Sequence, residues 1–330
     1  MSRFKPLFLI ILGGSLLSLA FSEHIEKDYF PSDPLEEALL LPEDVSKPET
    51  ENSSSAAIPS TGSEINADSL FAGLPRVSKK ICKDYLVLEN DSYQVGYCKS
   101  RKIPLWSAYR LFKVDKMQTP GKRPPYKDDV RTGVKLGSTI YSKTGYDAGH
   151  LAPNAGIYNR YGRSGQLETF FLSNFGPQTP RLNRGPWRSL EHFTNTEYAQ
   201  KFEEIWIIAG PILKDGLPLI KGKVPIAEEY FKIIVDIKDG QPRAMGFIMP
   251  NSDRMGTALD RHFTFKKRDD ESIGYAGLSP FLRDIFVIIE LNSFLVSIDQ
   301  IESRSGLDFY TQLSEEDQDS LESVIPDKVW

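Results

Sequence analysis

The stretch Tyr146-Asp147-Ala148-Gly149-His150-Leu151-Ala152-Pro153-Asn154 places a histidine beside an aspartate and a glycine at the end of a β-branched, aromatic run. Glycine lets a backbone turn sharply and present one side chain to a cleft, so His150 is a candidate base, with Asp147 and Gly149 fixing its turn. A second group follows in Phe171-Leu-Ser-Asn174 and in Asn183-Arg-Gly-Pro-Trp187-Arg-Ser-Leu-Glu191. Pro186 with Trp187, Leu190 and Phe193 predicts a helix opening beside Asn183. Glu191 stands eight residues after Asn183, about 12 Å of helical rise, so one side of that helix can carry both. An amide oxygen, a carboxylate and a neutral imidazole are the groups that hold a hydrated hard cation and deprotonate a water beside it. Each also has a plainer reading: a helix cap for Asn183, a turn amide for Asn174, a solvated carboxylate for Glu191 and a structural histidine for His150.

The elements that position these groups belong to a chain of 330 residues with 40% hydrophobic content, enough for a substantial core. Residues 1–22 read as a signal peptide: Arg3 and Lys5, then a short apolar run, then Ala20-Phe21-Ser22. Export to the periplasm or medium is expected, without stable membrane insertion; an anchor formed by the same apolar run is the alternative. Residues 23–77 are acidic and rich in proline and serine, and read as a disordered tether. The folded domain is expected over 78–313, and 314–330 as an acidic tail. Cys82 and Cys98 are the only cysteines, either a disulfide of an oxidising compartment or two buried thiols, and too few for a thiolate zinc site.

Tyr85-Leu-Val-Leu88 and Tyr93-Gln-Val-Gly-Tyr97 around Asn90-Asp91 predict a hairpin, and 103–114 a further strand. Strands are expected over 205–212, 230–236 and 243–250, and a glycine-capped helix over 297–306. The run Phe286-Val-Ile-Ile-Glu-Leu fits a strand or a buried helix. The fold class expected is α+β, a central, mainly antiparallel sheet flanked by helices.

Asp-x-Gly-His, Leu-Ser-Asn-x-x-Pro-Gln and Leu-Asn-x-x-x-Trp-x-x-Leu-Glu, in this order and spacing, resemble the DNA/RNA non-specific endonucleases with a ββα-metal active site. These include secreted bacterial nucleases and mitochondrial endonuclease G. The resemblance runs from about Tyr85 to Leu313. It implies hydrolysis of DNA and RNA with little sequence preference, leaving 5′-phosphate ends. It implies His150 as general base, Asn183 as the direct ligand of Mg²⁺ with Mn²⁺ as substitute, and Glu191 reaching the cation through water. Asn174 orients the phosphate or the histidine region, and Arg123, in the loop Gly-Lys-Arg123-Pro-Pro-Tyr, contacts the scissile phosphate. A homodimer stays open under this reading.

Two positions depart from the family pattern: Ala148 and Asn195 stand where arginines are usual. Each lost charged contact is worth about 1.5 to 3 kcal/mol, and Arg184 and Arg188 are the expected replacements as substrate-binding cations. The net charge of -5 is acidic for a polyanion-binding protein, yet the acidic surplus falls in 23–68 and 315–327. Arg101, Lys102, Arg110, Lys122, Arg123, Arg160, Arg163, Arg181, Arg184 and Arg188 flank the motifs, and local field governs polyanion binding more than the total does. The rival readings are a nucleic-acid-binding protein that keeps the fold without the catalysis, and a surface phosphodiesterase acting on small phosphate esters.

Overall fold

The computed structural model describes residues 70–253 and 280–329. The expected signal peptide and most of the expected tether lie outside the described residues.

The predicted hairpin forms as β1 (Tyr85–Glu89) and β2 (Tyr93–Cys98), and the next strand is β3 (Ile103–Phe112). The chain then leaves the sheet for residues 113–203, which hold a short ribbon of β4 (Asp147–His150) and β5 (Phe175–Gln178). It returns as β6 (Glu204–Ile212), β7 (Glu229–Lys238) and β8 (Gln241–Pro250), closed at the edge by β9 (Leu295–Val296). The sheet has seven strands in the order β9-β8-β7-β6-β3-β2-β1, every neighbour antiparallel. With helices on it, this is the expected α+β class.

The excursion is closed at its neck. Lys113 N–H donates to Glu203 O at 2.8 Å, and their side chains form an ion pair at 2.7 Å.

Strand alternation sorts the sheet's two faces. On β7, Tyr230 lies against Trp187, with ring centroids 5.8 Å apart, whereas Phe231 lies against Phe309 at 5.7 Å. The face of Tyr230 therefore carries the excursion, and the face of Phe231 carries the segment around Phe309. Ser107, Ala209, Lys232 and Phe247 form one row across β3, β6, β7 and β8 on the excursion's side.

Two helices lie in the excursion's central part: α1 (Asn154–Glu168), broken at Gly162 where φ is 71°, and α2 (Pro180–Arg184). The third, α3 (Pro186–Phe193), follows at once. The single helix expected to open beside Asn183 is thus two. Pro186 lacks the N–H that would continue α2 and pushes Gly185 out of helical geometry, to φ −101° and ψ −119°. Asn183 lies inside α2, which Thr179 caps through Leu182 N–H, and Gly185, not Asn183, stands at the N-cap of α3.

After β8 comes α4 (Pro280–Asn292), and after β9 come α5 (Ile298–Ser305) and α6 (Glu315–Glu322). The ambiguous run at Phe286 is helix. Ser297 and Gln300 form a capping box at the start of α5, and Gly306 at φ 69° ends it, as the glycine predicts. Two expected boundaries are corrected. Phe71 packs 5.7 Å from Trp206 and 5.6 Å from Tyr310, and Arg76–Val77 pairs with Leu307–Asp308, so folded chain reaches back past Ser78. The acidic C-terminal segment is no tail: Ser314 caps α6, and Leu321 and Val329 are buried.

Cys82 and Cys98 form a disulfide with Cα atoms 5.8 Å apart, which suits an oxidising compartment. It closes a loop with a sequence separation of 16. Cross-links of this span stabilise by about 3 kcal/mol, so the Cys82→Ala, Cys98→Ala pair should lower the urea midpoint accordingly. No helix among the described residues is long and apolar enough to cross a membrane.

Candidate active site

The site is built on the β4–β5 ribbon, whose register pairs Asp147 with Gln178 and His150 with Phe175. His150 therefore ends a strand instead of sitting on a sharp turn. Its ring is packed 4.3 Å from the ring of Phe175 and 5.2 Å from that of Phe170. Nε2 is buried and reaches no hydrogen-bond partner. Burial, with the Arg123 guanidinium adding to it, pushes the imidazole down to about 3. His150 is therefore neutral across the physiological range, the form a base requires. Trp187 holds the residue from the helix side, its Nε1 donating to His150 O at 3.2 Å.

Gly149 serves close approach, not a positive φ. A Cβ there would lie 2.1 Å from Oε1 of the buried Gln178. Overpacking of this kind costs about 1–3 kcal/mol, so Gly149→Ala should lower stability by that amount in chemical unfolding, with activity falling as the ribbon shifts.

Asn174 is fully buried and spends its amide on protein. Oδ1 accepts from Ser107 Oγ at 3.0 Å and Ala152 N at 2.9 Å; Nδ2 donates to Ala152 O at 2.9 Å and Thr169 O at 3.1 Å. Of the two roles expected for Asn174, this geometry fits holding the segment after His150 against β3.

Asp147 gathers the other arm of the site. Its carboxylate accepts from Asn183 Nδ2 at 3.0 Å and takes a two-pronged contact from Arg184, Nε and Nη2 each at 2.9 Å. Arg184, expected to face the substrate, is instead turned onto Asp147. With Nδ2 of Asn183 held, its oxygen is the end of the amide left to act as a ligand. Glu191 lies on α3 with 22% of its side chain exposed, yet its Oε1 is buried without a hydrogen bond.

Beneath Glu191 is a group the sequence reading missed. Lys232 is fully buried in the middle of β7, its Nζ 3.8 Å from Glu191 Oε1 and 4.2 Å from the centre of the Trp187 ring. Burial pushes the lysine down to about 8, and burial pushes the Glu191 carboxyl up, partly offset by Lys232. The signal was present: one lysine inside Tyr-Phe-Lys-Ile-Ile-Val, a strand otherwise fit only for a core.

Arg123 lies on an exposed loop and forms no ion pair with a described residue, but its charge acts on both His150 and Glu191. Arg188 is exposed on α3 and also acts on Glu191. Many of the flanking cations are otherwise engaged: Arg101 with Asp215, Arg110 with Glu204 and Arg181 with Glu290. Asn195 is buried and binds the guanidinium of Arg160 through both Oδ1 and its backbone oxygen. Arg160 also donates to Phe112 O at 2.8 Å, so an arginine from a different helix approaches the position where the sequence pattern lacks one.

These donors fit a hard divalent cation: one amide oxygen with its nitrogen tied back, one carboxylate with a buried oxygen unsatisfied, and no thiolate.

Known proteins resemble this chain over most of its described residues. A family model described as DNA/RNA non-specific endonuclease matches residues 77–316. A nuclease of Nostoc sp. is 28% identical over 256 residues, covering 74% of this chain and 81% of that protein. Mitochondrial nuclease EXOG of Danio rerio is 27% identical over 253 residues, 71% of this chain and 63% of the relative. Mitochondrial endonuclease G of Homo sapiens is 26% identical over 235 residues, 66% of this chain and 67% of the relative.

Proposed function

Because the chain belongs to the DNA/RNA non-specific endonuclease family, we propose that it is an exported, Mg²⁺-dependent nuclease that hydrolyses phosphodiester bonds of DNA and RNA. The observation that carries the reading is His150, a neutral imidazole packed against Phe170 and Phe175 with Nε2 buried and without a hydrogen-bond partner.

In this mechanism Nδ1 of His150 takes the proton of the attacking water. Asn183 Oδ1 would hold the cation directly, and Glu191 would hold it through water. When bound, Mg²⁺ offsets the charge that grows on the phosphate and the leaving oxygen. Arg123 and Arg188 supply the cationic contacts to the phosphate, replacing what Ala148 leaves out. Asp147 orients Asn183 and, with Arg184, fixes α2 against the ribbon. Asn174 and Trp187 hold His150 in place from its two sides, and Lys232 sets the charge of Glu191. Backbone contacts carry no base identity, so recognition is indifferent to sequence and weakens steeply with salt.

The test is digestion of plasmid DNA and a structured RNA, with Mg²⁺ and with chelator. Cleavage of both polymers only with the cation supports the reading. Binding of both without cleavage under any divalent cation would put the non-catalytic binder in its place. Cleavage of a short phosphodiester alone would favour the small-ester enzyme.

A further inference from the structure

On the sheet face opposite His150, a second group of acidic side chains converges. Asp299 and Glu302 lie on α5 and Glu322 ends α6; one carboxylate oxygen of each lies within 4.8 Å of the others. Glu322 is 5% exposed, and its Oε1 is buried with no hydrogen-bond partner. Glu302 uses Oε1 to accept Phe309 N–H at 2.6 Å, and Gln318 of α6 donates to Phe309 O at 2.8 Å, so the corner at Phe309 is gripped by both helices. The charged groups acting on Glu322 are the carboxylates of Glu302, Asp299 and Asp308, and those acting on Glu302 are Asp308 and Asp299; a side-chain hydrogen bond from Gln318 offsets only part of this at Glu322. Among the described residues, Arg76 pairs with Asp308 and Arg304 with Glu229.

We propose that Asp299, Glu302 and Glu322 form a structural Ca²⁺ site that pins α6 to α5, separate from the catalytic metal position.

A buried carboxylate that leaves one oxygen without a donor and stands beside two other carboxylates needs either a proton or a cation. Burial and mutual repulsion push Glu302 up to about 7 and Glu322 up to about 8, which is the protonated alternative. The donor set is all oxygen, with neither histidine nor thiolate, and so selects a hard cation. Ca²⁺ takes ligands at about 2.3–2.6 Å, so two oxygens across it stand about 4.6–5.2 Å apart, a span that contains this cluster without rearrangement. Mg²⁺ at about 2.0–2.1 Å would draw them closer and hold more water. Asp299 is exposed, which leaves an open side for the waters that complete the shell.

The experiment is Ca²⁺ titration of the purified chain above pH 8, followed by calorimetry and by thermal unfolding at fixed Mg²⁺. One site should titrate, and saturating Ca²⁺ should raise Tm by roughly 5–10 °C. Glu322→Gln and the exposed Asp299→Asn should each abolish the Ca²⁺-dependent shift, while Asn183→Ala keeps it. Without Ca²⁺, Glu322→Gln should melt no lower than the parent, since it relieves repulsion. No shift in the parent chain, a shift that survives both carboxylate variants, or one lost in Asn183→Ala would each overturn the proposal.

Discussion

His150→Ala should lose about 10²–10⁴-fold in the rate of cleavage of both DNA and RNA, the contribution of a general base. Binding of the polymer in chelator should change little, because His150 donates no side-chain contact that holds the cationic loop. Folding should survive: the side chain gives up ring packing against Phe170 and Phe175 but no hydrogen bond through Nε2. The pH dependence sharpens the test. The imidazole is held at about 3 in the folded protein against about 6.5 in an unfolded chain. The unfolded state therefore binds the extra proton first, and His150 subtracts stability as pH falls from 6.5 towards 3. His150→Ala should flatten that acid limb of the unfolding free energy. For the same reason, activity of the parent chain should show no loss centred at 6.5; a loss there would mean that His150 titrates as a solvated imidazole.

Lys232→Met should destabilise the fold by about 3–5 kcal/mol, the cost of removing one partner from a buried pair. The charge left behind is that of Glu191, whose carboxyl is already pushed up by burial. The penalty should accordingly shrink as pH falls and Glu191 takes a proton, and grow towards alkaline pH. Combining Lys232→Met with Glu191→Gln should restore most of the lost stability, because no unpaired charge remains, yet leave the enzyme without activity. Urea unfolding at two pH values, beside a plasmid-cleavage rate, separates the two effects. If the double variant cleaves at the parent rate, Glu191 has no part in the reaction.

The sheet was legible because its strands carry two clear signals, β-branched runs and turn residues such as Asn90-Asp91 and Asp239-Gly240. The glycine stop of α5 at Gly306 was equally readable, whereas the capping box of Ser297 and Gln300 that opens the helix emerged only in the structure. Helix α1 was not. Gly156, Gly162 and Gly165 weaken its propensity, and Pro153 offers no capping side chain. Helix α6 had its signals, Ser314 followed by Glu315, Glu316 and Asp317, but an acidic composition reads equally as a solvated tail. At the site, the motifs nominated His150, Asn183 and Glu191 together. They could not bring out pairings between distant segments, such as Asp147 with Arg184 or Glu191 with Lys232, because those depend on register across the ribbon and the sheet.

The closed neck at Lys113 and Glu203 has a consequence for how the molecule breathes. All the proposed chemistry except the charge from Lys232 sits between two strands, β3 and β6, that are hydrogen-bonded neighbours without it. The excursion is thus a side loop on a frame that stays continuous whether or not the loop is ordered. Its buried side chains, Leu151, Ile157, Phe175, Trp187 and Leu190 among them, complete the core on that face, so a local opening of 113–203 would leave β3, β6 and β7 hydrogen-bonded to one another but uncovered on one side. Sequence changes at exposed positions inside the neck can therefore alter the catalyst at least cost to folding, whereas changes to those buried residues reach the scaffold as well.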